Sequence, residues 1–210
     1  MDTDLYPLSV VMPSSSRREK LIDTAIVLFA EHGFHATGID TILEKSGVSK
    51  KTLYRHFRSK DELILAALRK YDGLFRNDFM RQVEQAAGTP RERLVALFDI
   101  AELWFRQNNF FGCMFINAIG EYSQSDTPIR EVCREFKALM RGYIESLCEK
   151  ASLPNPASLA DELALLLEGA IVTAQVAQDR CHAGQVAKAV AISLIEKAEG
   201  RDGTAEDSCR

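Results

Sequence analysis

The sequence lacks the patterns that define several large classes of protein. Among its 210 residues, no run of apolar side chains approaches the roughly 20 that a helix needs to cross a bilayer. Its five cysteines form no CxxC pair and show no Cys/His spacing suited to zinc. An odd number of unpaired cysteines indicates free thiols in a reducing compartment, so we expect a cytoplasmic chain that holds neither a metal nor a cofactor.

The N-terminus does not resemble a secretory leader. The segment MDTDLYPLSVVMP contains two acidic residues, has no basic residue before Arg17, and is interrupted by prolines. We expect residues 1–15 to be a flexible arm.

Motifs of common enzyme classes are also missing. The chain has no glycine-rich phosphate loop, no nucleophile elbow, no HExxH motif and no carboxylate pair in a recognisable setting. These absences argue against catalysis, and a binding protein becomes the better interpretation.

The spacing of apolar residues is helical, and no stretch of useful length alternates with a period of two. Capping boxes at residues 16–19, 59–62 and 89–92 mark three helix starts, and Pro90 occupies a first helical position. The pattern predicts an all-α fold of about nine helices, with a disordered polar tail at 200–210. The last six helices are predicted at about 59–86, 90–106, 112–122, 127–150, 157–182 and 185–198.

Charge is distributed unevenly along the chain. The net charge is -4, yet residues 14–60 contain nine Lys and Arg against five Asp and Glu. The N-terminal part is therefore basic while the remainder is acidic. Such a distribution suits a protein that binds DNA with one end only.

The stretch from Thr37 to Leu63 reads as two short helices joined by a tight turn. Thr37 is a plausible N-cap of the first helix, and Gly47 ends it in a left-handed conformation. Ser49 then caps a helix from Lys50 to Phe57 whose side chains are mostly polar or basic. Because only Leu53 and Phe57 would be buried, this helix is suited to contact a partner. The pattern indicates a helix-turn-helix, in which the second helix enters the major groove of DNA.

The segment GVSKKTLYRHFRSKDEL, preceded by Gly33, Phe34, Thr37 and Ile42, resembles the N-terminal signature of the TetR family of one-component bacterial transcriptional regulators. The resemblance covers roughly residues 16–68. It departs from the usual pattern at Lys51, where a small residue is common, and at Leu43, where alanine is common. The resemblance implies a three-helix DNA-binding head at 16–62 and a helical body for ligand binding and dimerisation at 63–199.

Position within this motif suggests roles for the polar side chains of the head. Residues of the first turn at 50–52 can reach base edges. Tyr54 and His56 match family positions that contact the DNA backbone. Lys60 begins the next helix, where the free N–H groups favour a phosphate. Thr37 is expected to add a second backbone contact. Taken singly, each residue is equally well explained as a solvated side chain, and His56 is also suited to bonding within the head. The predicted DNA-binding residues are Thr37, Ser49, Lys50, Lys51, Thr52, Tyr54, Arg55, His56 and Lys60.

The region from Trp104 to Tyr143 is rich in aromatic residues that could line a small-molecule pocket. Aromatic residues at helical spacing belong to a protein core more often than to a ligand site. The sequence therefore supports the region as a ligand site more strongly than it supports any single residue. In TetR-like regulators an inducer bound here shifts the helix joining body to head, which in this chain is the helix at 59–86. The candidate ligand-binding residues are Trp104, Phe105, Phe111, Cys113, Met114, Asn117, Glu121, Phe136, Met140, Tyr143 and Gln175.

Cys113 follows Gly112 at a predicted helix start, where unpaired N–H groups would favour the thiolate. The segment GCMFINAIGE is similar to the corresponding part of TetR-like regulators that sense electrophiles or oxidants through a cysteine. A buried, inert cysteine is the alternative.

The last two predicted helices are apolar and rich in alanine, which permits close packing. An ordinary core hairpin would explain them, but the resemblance implies a four-helix bundle across a two-fold axis, so we expect a homodimer reading a pseudo-palindromic operator. The leading hypothesis is a repressor released by a small-molecule inducer or by cysteine modification. The alternatives are an enzyme and an architectural DNA-binding protein that does not respond to a ligand. The residues that carry the dimer prediction are Leu163, Leu166, Leu167, Ala170, Ile171, Ala174, Ala177, Val186, Ala187, Val190, Ala191 and Leu194.

Overall fold

The computed structural model describes residues 16–124 and 127–202, and within these ranges all regular structure is helical. The all-α fold with nine helices is confirmed for this part of the chain. No helix in it combines the length and apolar character needed to cross a membrane. The predicted arm at 1–15 and the tail from residue 203 onward lie outside the described residues. The helices are α1 (Arg17–His32), α2 (Ile39–Ser46), α3 (Lys50–His56), α4 (Lys60–Ala86), α5 (Pro90–Phe105), α6 (Met114–Glu121), α7 (Pro128–Lys150), α8 (Pro156–Val176) and α9 (Arg180–Asp202).

The predicted caps begin three of these helices. At α5 the capping box is complete, because the Thr89 hydroxyl accepts from the Glu92 N–H at 3.3 Å while the Glu92 carboxylate accepts from the Thr89 N–H at 3.0 Å. At α1 the Ser16 hydroxyl accepts from the Glu19 N–H at 3.2 Å, as predicted, but the Glu19 carboxylate pairs with Lys70 instead of returning to the cap. Local sequence therefore sets where these helices start.

The predicted boundary between the last two helices is wrong. We expected one helix to continue to residue 182 and the next to begin at 185, whereas α8 ends at Val176 and α9 begins at Arg180. The Asp179 carboxylate accepts from the N–H groups of Cys181 at 3.1 Å and His182 at 3.3 Å, and so acts as the N-cap of α9. Ala177 has an extended backbone and does not belong to the apolar face of α8. At its other end α9 continues to Asp202, into the predicted tail.

The described residues form two compact units. Unit 1 contains the described residues of 16–78 and 111–136, and unit 2 contains 79–110 and 137–202. The long helices α4 and α7 contribute to both units. The predicted boundary between functional domains, at residues 62 and 63, stays a prediction and lies inside unit 1.

Unit 2 is built around the packing of α5, α8 and α9. Where α9 crosses α5, a Cβ atom at Gly184 would lie 2.8 Å from the Glu102 Cβ atom, so only glycine allows this approach. An ion pair of 2.6 Å between the Lys188 Nζ and Asp99 Oδ1 atoms adds a polar link between the same helices. Leu163 and Ala191 are fully buried here. Part of the apolar surface of α8 and α9 is therefore core of a single chain.

In unit 1 a lysine of α4 pairs with two carboxylates of α1. The Lys70 Nζ atom lies 2.5 Å from Glu19 Oε2 and 2.6 Å from Asp23 Oδ1. The side chains of Lys70 and Asp23 are only 17% and 15% exposed. Because the Asp23 oxygens have no hydrogen bond of good geometry among the described residues, the Lys70 charge is what offsets their burial. The hydrogen bond from Lys70 holds the pKa of Glu19 below its ordinary value of 4.5.

Replacing Lys70 with methionine should therefore destabilise the protein by about 3 kcal/mol, since one carboxylate would remain buried without a counter-charge. Urea unfolding monitored by circular dichroism measures this loss. The matched control is Lys188→Met, whose ion pair with Asp99 is more exposed and should contribute less than about 1 kcal/mol.

The Lys70 substitution should also change the pH dependence of stability. A carboxyl group with a lowered folded-state pKa stabilises the fold above its unfolded-state pKa, and this stabilisation is lost as the pH falls through the folded-state value. The wild-type free energy of unfolding should consequently fall below pH 4.5, and the fall should be shallower in Lys70→Met. Parallel pH profiles for the two proteins would contradict this account.

Candidate nucleic-acid interface

Helix α3 buries one narrow side and exposes the rest. Leu53 and Phe57 are buried, as predicted from their spacing of four residues. The side chains of Lys50, Lys51 and Tyr54 are exposed, as is Arg55. The exposed surface of α3 is thus basic and rich in hydrogen-bond donors, which are the properties that a DNA groove selects.

The turn between α2 and α3 has the predicted chemistry. Gly47 has φ 66° and ψ 20°, the left-handed conformation that ends a helix, and its N–H donates to the Leu43 carbonyl at 3.0 Å. Val48 is buried in the angle between the helices. The Ser49 hydroxyl then accepts from the Thr52 N–H at 3.3 Å. Helix pair and turn together form a helix-turn-helix.

The structure contradicts the predicted contact of the Thr37 side chain with DNA. Thr37 is only 2% exposed, and its hydroxyl lies 2.7 Å from the Gly33 carbonyl oxygen and 3.1 Å from that of Leu28. It is not the N-cap of α2 either, because that position belongs to Gly38. The hydroxyl ties the α1–α2 turn to α1, so Thr37 supports the head from inside.

Thr52 is a second correction. Its side chain is 7% exposed, and its Oγ1 atom lies 2.9 Å from Ser49 Oγ. The methyl group therefore has little surface to offer a thymine, contrary to the expectation that it reads bases.

Two of the predicted DNA-binding cations already have partners within the head. The Lys50 Nζ atom lies 3.3 Å from Asp40 Oδ1, and Lys60 Nζ donates to the His35 carbonyl at 3.3 Å. His56 is half-buried, with its ring centroid 6.4 Å from that of Phe57. Since a lysine ammonium has three N–H donors, Lys60 can bond a phosphate while it keeps the His35 carbonyl as an acceptor.

Unit 1 contains an aromatic cluster that includes Phe136, one of the predicted ligand-binding residues. The rings of Phe115 and Phe136 stack with centroids 3.8 Å apart, and Tyr71 and Phe75 extend the cluster from α4. Tyr71 and Phe75 were missed, although their spacing of four residues on a predicted helix was a usable signal. The predicted ligand-binding residues that belong to unit 1 are Phe111, Cys113, Met114, Asn117, Glu121 and Phe136.

Cys113 is buried at the N-cap position of α6, one residue before the helix starts. Burial raises the pKa of Tyr71 well above its usual value, and the nearby Cys113 thiol adds to that effect. Close by, the Asn117 side-chain amide donates to the Phe111 carbonyl at 3.1 Å. This hydrogen bond ties α6 to the segment that precedes it.

Unit 2 contains a separate aromatic cluster. The Phe110 ring centroid lies 5.0 Å from that of Trp104 and 5.1 Å from that of Phe105, and the Arg180 guanidinium lies 5.4 Å from the Phe110 centroid. Tyr143 is buried, and burial raises its pKa to about 12. Met140 is half-buried on α7, whereas Gln175 is exposed on α8, so Gln175 does not join a buried cluster as predicted.

Glu121 is not available as the ligand contact that we predicted. Its carboxylate accepts from the backbone N–H groups of Phe34 at 2.8 Å and His35 at 2.6 Å. The end of α6 is therefore bonded directly to the α1–α2 turn. Because both donors belong to the backbone, no side-chain pattern in the sequence announces this contact.

Comparison with known proteins agrees with this geometry. A model of bacterial regulatory proteins of the tetR family matches residues 21–67, and a model of the tetracyclin repressor-like C-terminal domain matches residues 90–190. The solved structure of SCO4454, a TetR-family regulator from Streptomyces coelicolor, superposes with a TM-score of 0.77 at 24% identity, covering 87% of this chain and 95% of that one. This last likeness establishes the fold.

Two curated relatives are similar to part of this chain. The transcriptional activator FasR of Mycolicibacterium smegmatis is 40% identical over 96 residues, which is 43% of each chain. The transcriptional repressor KstR2 of Mycobacterium tuberculosis is 38% identical over 85 residues, covering 40% of this chain and 42% of the relative. The match thus spans less than half the length of either relative. From the helix-turn-helix, the two family models and these likenesses together, the chain belongs to the TetR family of DNA-binding transcriptional regulators.

Proposed function

We propose that this regulator is a repressor that binds a pseudo-palindromic operator as a homodimer and is released by a small-molecule inducer or by modification of a cysteine. The observation that carries the proposal is α3, where Lys50, Lys51, Tyr54 and Arg55 are exposed above a buried Leu53. A short helix gains little by exposing this surface unless a partner covers it. Double-stranded DNA has the complementary charge and groove width.

We assign repression, and not activation, to this regulator. KstR2 is named a repressor and FasR an activator, so relatives of similar identity to this chain act in both directions. A repressor needs only to occupy the operator, whereas an activator also needs a surface for the transcription machinery. A reporter gene under the natural promoter distinguishes the two, since deletion of the regulator should raise expression.

The dimer proposal is supported by an apolar groove between α8 and α9. The groove has a volume of about 680 Å³ and is lined largely by aliphatic side chains, including Leu165, Leu166, Val186 and Val190. Val176 and Leu165 are the most exposed large apolar residues described. Covering such a surface with a second copy removes apolar area from water at a gain of roughly 25 cal/mol per Å².

A two-fold dimer of this kind would present two copies of α3. Their half-sites would be read in successive major grooves, and the operator would be a pseudo-palindrome with half-sites about one helical turn apart or a multiple of it. An architectural DNA-binding protein would show no such preference, and competition with random DNA reveals the difference.

Within each half-site we assign base reading to Lys51 and phosphate contact to Lys60. Lys51 stands exposed in the first turn of α3, where a lysine can donate to guanine O6 and N7. Lys60 begins α4, where its charge and the first N–H groups of the helix both favour a phosphate. The proposed DNA-binding set also includes the exposed residues Ser49, Lys50, Tyr54 and Arg55 and the half-buried His56.

For the signal we propose the aromatic cluster of unit 1 as the region that receives an inducer, with Cys113 as a chemical trigger. Stacked rings such as Phe115 and Phe136 supply apolar walls for a small ligand. Cys113 lies at the start of α6, so a group added to its sulfur would change the packing of that helix. Both triggers act on the same part of unit 1.

Lys51→Ala should weaken binding to the selected operator by roughly 1 to 3 kcal/mol and leave binding to random duplexes nearly unchanged. Lys60→Ala should weaken binding to all duplexes similarly and lower the slope of log affinity against log salt by about one unit. Fluorescence anisotropy over a salt series measures both effects, with an operator selected from a random pool. Equal losses on operator and random DNA for Lys51→Ala would remove it from the base-reading set.

Leu165→Glu should convert the dimer to a monomer, because a charge would be buried in the groove interface. Light scattering at micromolar concentration measures the mass of each protein. The matched control is Leu103→Glu on α5, since Leu103 is 53% exposed and lies outside the groove, while Leu165 is 76% exposed. A wild-type mass equal to one chain would remove the dimer proposal.

Treatment with N-ethylmaleimide should release wild-type protein from the operator and leave Cys113→Ser bound, as followed by anisotropy. Cys181→Ser is the control, because Cys181 is the more exposed thiol and reacts without lying on α6. If wild type and Cys113→Ser respond alike, Cys113 is a packing residue and reversible ligands become the trigger to seek.

A further inference from the structure

The C-terminal end of α6 holds the α1–α2 turn by a single side chain. Glu121 Oε1 accepts from the Phe34 N–H at 2.8 Å, and Oε2 accepts from the His35 N–H at 2.6 Å while lying 3.0 Å from His35 Nδ1. Both carboxylate oxygens are thus used, and both acceptors carry charge. Charge-assisted hydrogen bonds of this length are among the stronger polar contacts in proteins.

The turn is shaped to receive this carboxylate. Gly33 has φ 84°, a left-handed conformation that favours glycine, and a Cβ atom there would lie 2.8 Å from Glu121 Oε1. Its own N–H donates to the Phe29 carbonyl at 3.0 Å, which closes α1. The next two N–H groups of the chain are therefore free of helix bonding and point to Glu121.

Neighbouring rings keep the contact in place. The Tyr122 ring stacks on that of His35 with centroids 4.9 Å apart and meets Phe34 edge-on at 6.3 Å. The Tyr122 carbonyl accepts from Arg130 Nη1 at 3.1 Å, which ties the same end of α6 to α7. The end of α6 is thereby fixed on both sides, so a shift of α6 has to carry the turn with it.

The α1–α2 turn also positions two parts of the proposed DNA-binding surface. Its Gly33 carbonyl accepts from the Thr37 hydroxyl at 2.7 Å, one residue before the N-cap of α2. Its His35 carbonyl accepts from Lys60 Nζ at 3.3 Å, and Lys60 is the proposed phosphate contact. Displacing the turn would therefore alter both the start of the helix-turn-helix and the setting of Lys60.

The other end of α6 lies at the proposed signal region. Cys113 is its N-cap, and Phe115 stacks on Phe136 in the aromatic cluster. At 1.5 Å per residue, the eight residues of α6 span about 12 Å as one rigid element. A change of packing at its start can therefore reach Glu121 without any flexible segment between.

We infer that Glu121 is a positioning residue for DNA binding, through which α6 sets the α1–α2 turn directly and in addition to the route along α4. The inference rests on the proposed function, because it assigns a role in the response of DNA binding to a signal. Coupling between two binding sites is reciprocal. If a signal at α6 changes the free energy of DNA binding, DNA binding must change the state of α6 in return. Operator DNA can consequently serve as the probe while the inducer is unidentified.

The test is hydrogen–deuterium exchange of the full-length protein, with and without the selected operator, for wild type and Glu121→Gln. Glutamine keeps the size of the side chain but replaces one acceptor oxygen by a donor that faces the turn amides. The matched control is Glu131→Gln, which removes the same charge from an exposed pair with Arg134 on α7.

In wild type, operator DNA should slow exchange in both the turn at 33–38 and α6. In Glu121→Gln it should slow exchange in the turn but no longer in α6, and operator affinity should fall about tenfold, as expected for the loss of one hydrogen bond to a charged group. Glu131→Gln should behave as wild type. A residue with only a structural role would change the affinity without removing the response of α6.

Two results would overturn the inference. The first is a Glu121→Gln protein whose α6 still responds to operator DNA as in wild type. If wild type binds no DNA, the proposed function fails, and the inference is then tested on the free proteins. The second result is equal exchange of residues 33–38 in free wild type and free Glu121→Gln, which would show that Glu121 does not hold the turn. If Glu121→Gln does not fold, Glu121→Asp, which keeps the charge at shorter reach, takes its place in both comparisons.

Discussion

A helix that must remain polar enough to meet DNA cannot also bury enough surface to hold itself in place. In α3 the inward side is narrow, with Leu53 as its only fully buried residue. Seven residues are too few for a helix to be stable alone in water. The position of α3 therefore depends on what its neighbours supply, and the remaining architecture of unit 1 follows from this constraint.

The neighbours supply fixed geometry by two different means. Apolar packing of residues such as Phe29 and Ile42 forms the interior against which α3 rests. Polar contacts then set the register of the surrounding elements, with Lys70 joining α4 to α1 and Glu121 joining α6 to the turn after α1. Packing tolerates small shifts, whereas bonds of defined length and direction resist them. The second kind of contact therefore fixes how the head is joined to the rest of the unit.

Sequence patterns predicted those features whose cause is local. Gly47 and Ser49 end and begin helices through their own backbone and side chain, so the helix-turn-helix could be predicted closely. The boundary near Asp179 was missed because apolar spacing continues across it, and a single capping aspartate outweighs that spacing. Thr37 was assigned to DNA from its position in the motif, which does not reveal that its hydroxyl is buried against carbonyl groups of its own chain. The role of Glu121 depends on backbone donors 86 and 87 residues away, which leave no pattern in composition or spacing.

The close approach of the Glu121 carboxylate to Gly33 limits how parts of this protein can be joined to parts of a relative. Any side chain at position 33 would bring a Cβ atom to within 2.8 Å of the Glu121 carboxylate, so the two positions cannot be chosen independently. A chimera that joins this head to the body of a relative, at a junction in α4, would keep position 33 and replace position 121. The unit that contains the head does not follow the order of the chain, because it combines described residues of 16–78 with those of 111–136. A functional exchange has to carry the end of α6 along with the head.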